Sequence, residues 1–97
     1  MLFRSVERKD STNEQMNLIL GRLAVVSGQY DKAKVRLEKL TKSHPENAEA
    51  WFHLAEAYRA TGNKSEAINA LEQCKKLVDD PAFAKQIDDY IIQFKNQ

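Results

Sequence analysis

Between Ala48 and Asp80 the chain carries two apolar stripes at helical spacing. Trp51, Leu54, Ala55 and Tyr58 stand at i, i+3, i+4 and i+7, one face of a helix, and Ala67, Leu71, Cys74 and Val78 form a second face. Thr61-Gly62-Asn63 lies between them, where Gly and Asn ease the left-handed turn that ends a helix. The unit predicted is a helix hairpin. An equivalent pattern precedes it, with a first helix over about 13–27, Gly28 as its stop, and a second helix that turns Ala33, Leu37 and Leu40 inward and Lys32, Arg36 and Lys39 outward. A fifth helix from Pro81 to about Phe94 aligns Ala84, Ile87, Ile91 and Phe94.

Punctuation supports these limits. Ser11 with Glu14 and Thr12 with Gln15 each fit a capping box, in which a hydroxyl satisfies an orphan N–H and the later side chain reaches back. Asp31 stands where a second helix N-terminus attracts negative charge. Ser43-His44-Pro45 ends that helix, because the residue before proline is pushed out of helical geometry. Asn47 is the expected cap of the third helix; Asp80-Pro81 reads as a cap followed by proline at the first helical position, where its missing N–H costs nothing.

A shift of 34 residues superimposes the two hairpins. It pairs Asn13 with Asn47, Leu20 with Leu54, Gly28 with Gly62, Ala33 with Ala67, Leu37 with Leu71, Glu38 with Glu72 and Lys42 with Lys76, and it sets Gly21 against Ala55. These pairs are expected on the buried stripe and at the break, where packing preserves residue size. The last helix is out of phase by one residue, since strict continuation would bury Lys85, Asp88 and Asp89.

A helix-turn-helix period of this length resembles the tetratricopeptide repeat. Residues 48–81 match the family pattern at Trp51, Leu54, Ala55, Tyr58, Gly62, Ala67 and Leu71; residues 14–47 match it at Leu20, Gly21, Gly28, Ala33, Leu37 and Pro45. The first repeat departs at Asn17 and Ala24, where aromatics are usual, and at Leu40, where a smaller residue is usual, so looser packing is expected there. The resemblance implies an all-α fold, a right-handed superhelical stack of two hairpins closed by a C-terminal capping helix over 81–95. The domain expected is 13–97, preceded by a segment, 1–12, that either docks through Leu2, Phe3 and Val6 or stays disordered.

Composition narrows the function. Fifteen basic and 14 acidic residues in a 97-residue chain leave no cationic excess for nucleic acid or anionic lipid. The charge is uneven: residues 14–47 hold six basic and four acidic residues, net +2, and residues 48–81 hold four basic and six acidic, net −2. This weak dipole would favour head-to-tail contacts, against the simpler reading of solvated outer faces. Cys74 is the sole cysteine and lies on an apolar stripe, which reads as core rather than as a reactive thiol. No run of 18 apolar residues and no secretory signal is present, so a cytoplasmic location is the default for this stretch of chain.

No catalytic constellation emerges. His44 sits beside a proline and His53 within a helix, neither placed to activate a buried thiol; His44, His53 and Cys74 have no metal-ligand spacing; and the three glycines are isolated rather than gathered in a phosphate loop. The expectation is a non-enzymatic interaction module without cofactor or metal. The family resemblance places its binding groove on the first helix of each repeat, which here means Leu18, Arg22 and Val25, then Phe52, Glu56 and Arg59. Such a groove suits a peptide or helix of a partner protein; the competing reading has Leu18 and Phe52 thickening the core. Arg22 and His53 do not reproduce the Lys and Asn set with which chaperone-binding members hold a carboxylate, and Glu49 and Glu56 would repel RNA phosphates. The alternative function is structural. Two repeats leave an open flank that a second copy or the chain's own N-terminus would cover, with a two-fold homodimer as the simplest closed form.

Overall fold

The computed structural model describes residues 2–96, with side chains over 13–96. Five helices follow in order: α1 (Leu2–Val26), α2 (Tyr30–Ser43), α3 (Ala48–Ala60), α4 (Lys64–Leu77) and α5 (Pro81–Lys95). α2 and α4 lie 34 residues apart at both ends, as do the C-termini of α1 and α3. The hairpin turns repeat as well, since Gly28 and Gly62 take φ values of 83° and 85°, a left-handed conformation that a Cβ would strain. The Asn47 side chain accepts a hydrogen bond from the Ala50 N–H at 3.1 Å and Asp80 from the Ala82 N–H at 3.0 Å, so both expected caps are made.

The first helix starts earlier than its capping pattern suggested. α1 begins at Leu2, and the Ser11–Gln15 stretch lies inside its backbone run. No Gly or Pro stands between Leu2 and Asn13 to stop a helix, so a capping motif there has no break to cap. The side chains of Leu2, Phe3, Val6, Ser11 and Thr12, to which docking and capping roles were assigned, lie outside the described residues.

Each hairpin packs on the next, α3 against α2 and α1, and α5 against α4. One core cluster joins Ala33, Leu37 and Leu40 of α2 to Ala50, Leu54 and Ala57 of α3; the other joins Ala55, Ala67, Ala70, Leu71 and Cys74 to Ile87, Ile91 and Phe94 of α5. Trp51 and Tyr58 touch both clusters and tie the repeats together. The Trp51 indole N–H donates to the Pro45 carbonyl at 2.9 Å, and the Tyr58 hydroxyl donates to Glu38 across the repeat boundary at 2.5 Å. Between α1 and α2 the backbones come close at Gly21, where an added Cβ would lie 2.5 Å from a Leu37 methyl. On α5 the out-of-phase stripe is observed: Ile87, Ile91 and Phe94 are buried, while Asp88 bonds to Lys75 of α4 at 2.8 Å.

The period misleads at one buried position. Leu54 retains 1 % of its surface, but its equivalent Leu20 retains 40 %. Leu54 is covered by α2, the helix one step back in the stack, and among the described residues no helix stands one step back from α1. Asn17 in place of Trp51 has a local effect too. A cleft of about 560 Å³ lies between α1 and α2, lined by Asn17, Val35, Lys39 and Leu40, with Asn17 accepting from the Arg36 guanidinium at 2.9 Å.

Candidate functional site

α3 and α5 converge on a small aromatic hollow. Phe52 of α3 is half-buried, with its ring centroid 5.7 Å from that of Tyr90 and 6.5 Å from that of Phe83, both on α5. Tyr90 in turn lies 6.5 Å from Phe94. These separations and their tilted or edge-on planes are those at which aromatic quadrupoles attract, so the walls hold one another in place. The hollow, about 150 Å³, is lined by Phe52, Glu56, Arg59, Leu71, Tyr90, Gln93 and Phe94.

Two charges rim it and differ in availability. Glu56 receives the His53 ring nitrogen at 3.0 Å, one helical turn back on α3. The Arg59 guanidinium lies 5.3 Å from the Phe94 ring centroid, a cation–π contact that uses none of its N–H donors. Arg59 is exposed and forms no ion pair among the described residues.

Of the residues assigned to a groove from sequence, Phe52, Glu56 and Arg59 meet in this hollow. Leu18, Arg22 and Val25 occupy the equivalent face of α1, one period earlier. Leu18 and Val25 are half-buried and pack against the α2–α3 core, and Arg22 is exposed. Phe52 serves both readings weighed for it, since it packs against the second core cluster and lines the hollow. The α5 contribution was missed. Tyr90 and Phe94 carried a signal, two aromatics at i and i+4, but a helix read as a closing cap gave no reason to direct a residue into a groove.

A second chemical grouping sits at the joint between repeats. His44 Nδ1 stands 3.4 Å from Glu14 and 3.6 Å from Glu46, and the Asn47 amide donates to the other Glu14 oxygen at 2.9 Å. Glu14, His44 and Glu46 are the one group of three metal-ligand types drawn together among the described residues. Through the Asn47 hydrogen bond and the contact with His44, Glu14 ties α1 to the α2–α3 turn. Cys74 is fully buried in the second core, where desolvation pushes its thiol above the ordinary pKa and keeps it protonated.

The tetratricopeptide repeat family profile matches residues 19–74, more than half of the chain, from the last part of α1 to the buried Cys74 of α4. The chain belongs to the tetratricopeptide repeat family. Repeats of this family are generally protein-interaction modules and typically non-enzymatic. No curated protein matches the chain closely enough to establish kinship. Among the described residues no helix of this tetratricopeptide domain is long and apolar enough to cross a membrane.

Proposed function

We propose that this tetratricopeptide domain is a non-enzymatic binding module that takes a peptide or helix of a partner protein along the faces of α1, α3 and α5, anchored in the α3–α5 hollow. One observation carries the reading: rigid aromatic walls surround a space of about 150 Å³, the size of one apolar side chain, beside an arginine with no carboxylate partner among the described residues. An apolar anchor seated in a pre-formed pocket, with a charged rim beside it, is the arrangement that concentrates binding energy in few residues. Glu56 holds His53, whereas Arg59 has no carboxylate partner among the described residues, and it favours an acidic group next to the apolar anchor on its side of the hollow.

The test is selection from a displayed peptide library followed by backbone NMR titration of the selected peptide. The expected result is a consensus of an apolar residue beside Asp or Glu, shifts centred on Phe52, Tyr90 and Phe94, and binding lost in Arg59→Glu with helicity unchanged. Shifts confined to α1 and α2 would place the ligand elsewhere and refute the reading.

A further inference from the structure

Outside that groove, the largest unexplained feature is the bare side of α1. Met16, Ile19, Leu20, Leu23 and Val26 are all exposed, and at 100° per residue they fall in one arc about 120° wide. Over residues 13–26 no charge falls in the arc; Asn13 and Gln15 border it on either side, Ser27 follows it, and Arg22 lies beyond Gln15. On α3 the equivalents of Met16, Leu20 and Leu23 are Ala50, Leu54 and Ala57, all buried against α2, while those of Ile19 and Val26 are the half-buried His53 and the exposed Ala60.

We propose that this arc is the seam of a two-fold dimer, with α1 packed antiparallel against α1 of a second copy. Residue size argues for that occupant over another helix of the α2 type. Where α3 presents Ala50 and Ala57, α1 presents Met16 and Leu23. Small residues on α3 let Leu37 and Leu40 nest close to its backbone, whereas the large ones on α1 would hold such a helix off. Large residues at positions 16, 19, 20 and 23 instead form an i, i+3, i+4, i+7 stripe, the pattern of a helix face that packs along a second helix.

The seam is also self-complementary. With the two-fold axis between positions 19 and 20, Met16 meets Leu23 of the other copy and Ile19 meets Leu20, so apolar faces apolar at the centre of the seam; Val26 meets Asn13 at its ends, and over residues 13–26 no like charges oppose. The head-to-tail arrangement suggested by the uneven charges lacks such a match. The outer face of α5 exposes Lys85, Gln86 and Asp89 around Ile92, a polar surface that would leave the α1 arc poorly covered. The seam over 13–26 is about 21 Å long, small for a permanent interface, so the dimer separates on dilution through the micromolar range.

The test is sedimentation equilibrium of the full chain from about 1 µM to about 1 mM. The mass is expected to rise from 11.1 kDa towards twice that value with concentration. Met16→Lys alone and Leu23→Glu alone should each weaken dimerisation at least about tenfold. Combined in one chain they should restore it, because the antiparallel register brings each introduced lysine against the introduced glutamate of the other copy. Circular dichroism checks that each variant keeps its helices, and Ile19→Gln replaces any variant that does not. A constant 11.1 kDa, masses that climb past two copies, a dimer indifferent to the single substitutions, or no rescue by the pair would each overturn the proposal. Arg59→Glu should leave the mass curve unchanged, which separates this surface from the groove.

Discussion

Leu20 and Leu54 form an internal control. They are the same residue at the same repeat position on equivalent helices, one with 40 % of its surface in water and the other with 1 %. Truncating a fully buried leucine forfeits its transfer energy and leaves a cavity, so Leu54→Ala should cost about 2–5 kcal/mol. Leu20→Ala loses about three-fifths of a burial worth roughly 1.5–3 kcal/mol, hence about 1–2 kcal/mol, and opens no closed cavity, because one side already faces solvent. A domain of this size is stable by roughly 5–15 kcal/mol, so both variants should stay folded and measurable. The assay is urea denaturation followed at once by helicity and by Trp51 fluorescence, at a concentration where the chain sediments at 11.1 kDa. The expected gap is about 2 kcal/mol, a separation of roughly 8–16 °C in melting temperature for a small domain. Equal losses would mean that α1 is covered as fully as α3 even in the single chain, and would refute both the open flank and the dimer argued from it. At concentrations where dimers form, the cost of Leu20→Ala should grow while that of Leu54→Ala stays fixed.

Three further outcomes follow from the packing. Gly21→Val drives a branched side chain into Leu37, which has no exposed surface, and should cost about 1–3 kcal/mol in the same denaturation assay; an unchanged midpoint would mean that α1 and α2 are not in close contact there. The Tyr58 phenol is held above its ordinary pKa, first by burial and then by the hydrogen bond to Glu38 and the charges of Glu38 and Glu66, so the folded state favours its neutral form. That contribution is intact below the unfolded-state value near about 10 and is lost as pH rises above it. Wild type should therefore weaken in urea above that pH more steeply than Tyr58→Phe, and parallel curves would refute the coupling. Cys74 should resist a thiol reagent in the native state and react at the rate of opening, whereas rapid stoichiometric labelling would contradict its burial.

What could be read from the sequence was whatever depends on spacing within a hairpin. The period set the limits of α2 and α4, and the side chains of Asn47 and Asp80 form local bonds that a short motif specifies. Burial at Leu20 could not be read that way, because a repeat frame reports residue type and not which helix stands beside it. The start of α1 escaped for a related reason: a capping motif signals a helix end only where the chain also breaks, and 2–13 contains no breaker. Half of the candidate groove was legible. Phe52, Glu56 and Arg59 follow from the repeat frame, but Tyr90 and Gln93 belong to a helix out of phase with it, and only the packing of α5 on α4 turns them toward Phe52.

The two surfaces are independent in geometry, and that has a consequence for binding. Leu18 and Val25 lie on the opposite side of α1 from Met16, Leu20 and Leu23, since residues two apart on a helix are separated by 200°, and Arg22 lies between the two faces. A partner following the groove face and a second copy on the seam therefore do not compete for the same side chains. Two chains joined through α1 carry two α3–α5 hollows related by the same two-fold axis, each beyond the helices that form the seam. A hollow that seats one apolar side chain gives little affinity alone, but a partner bearing two copies of its motif makes the second contact intramolecular, and the effective concentration adds to the affinity without any new contact. On this arrangement the apolar face of α1 matters to recognition through the number of grooves that one partner can reach.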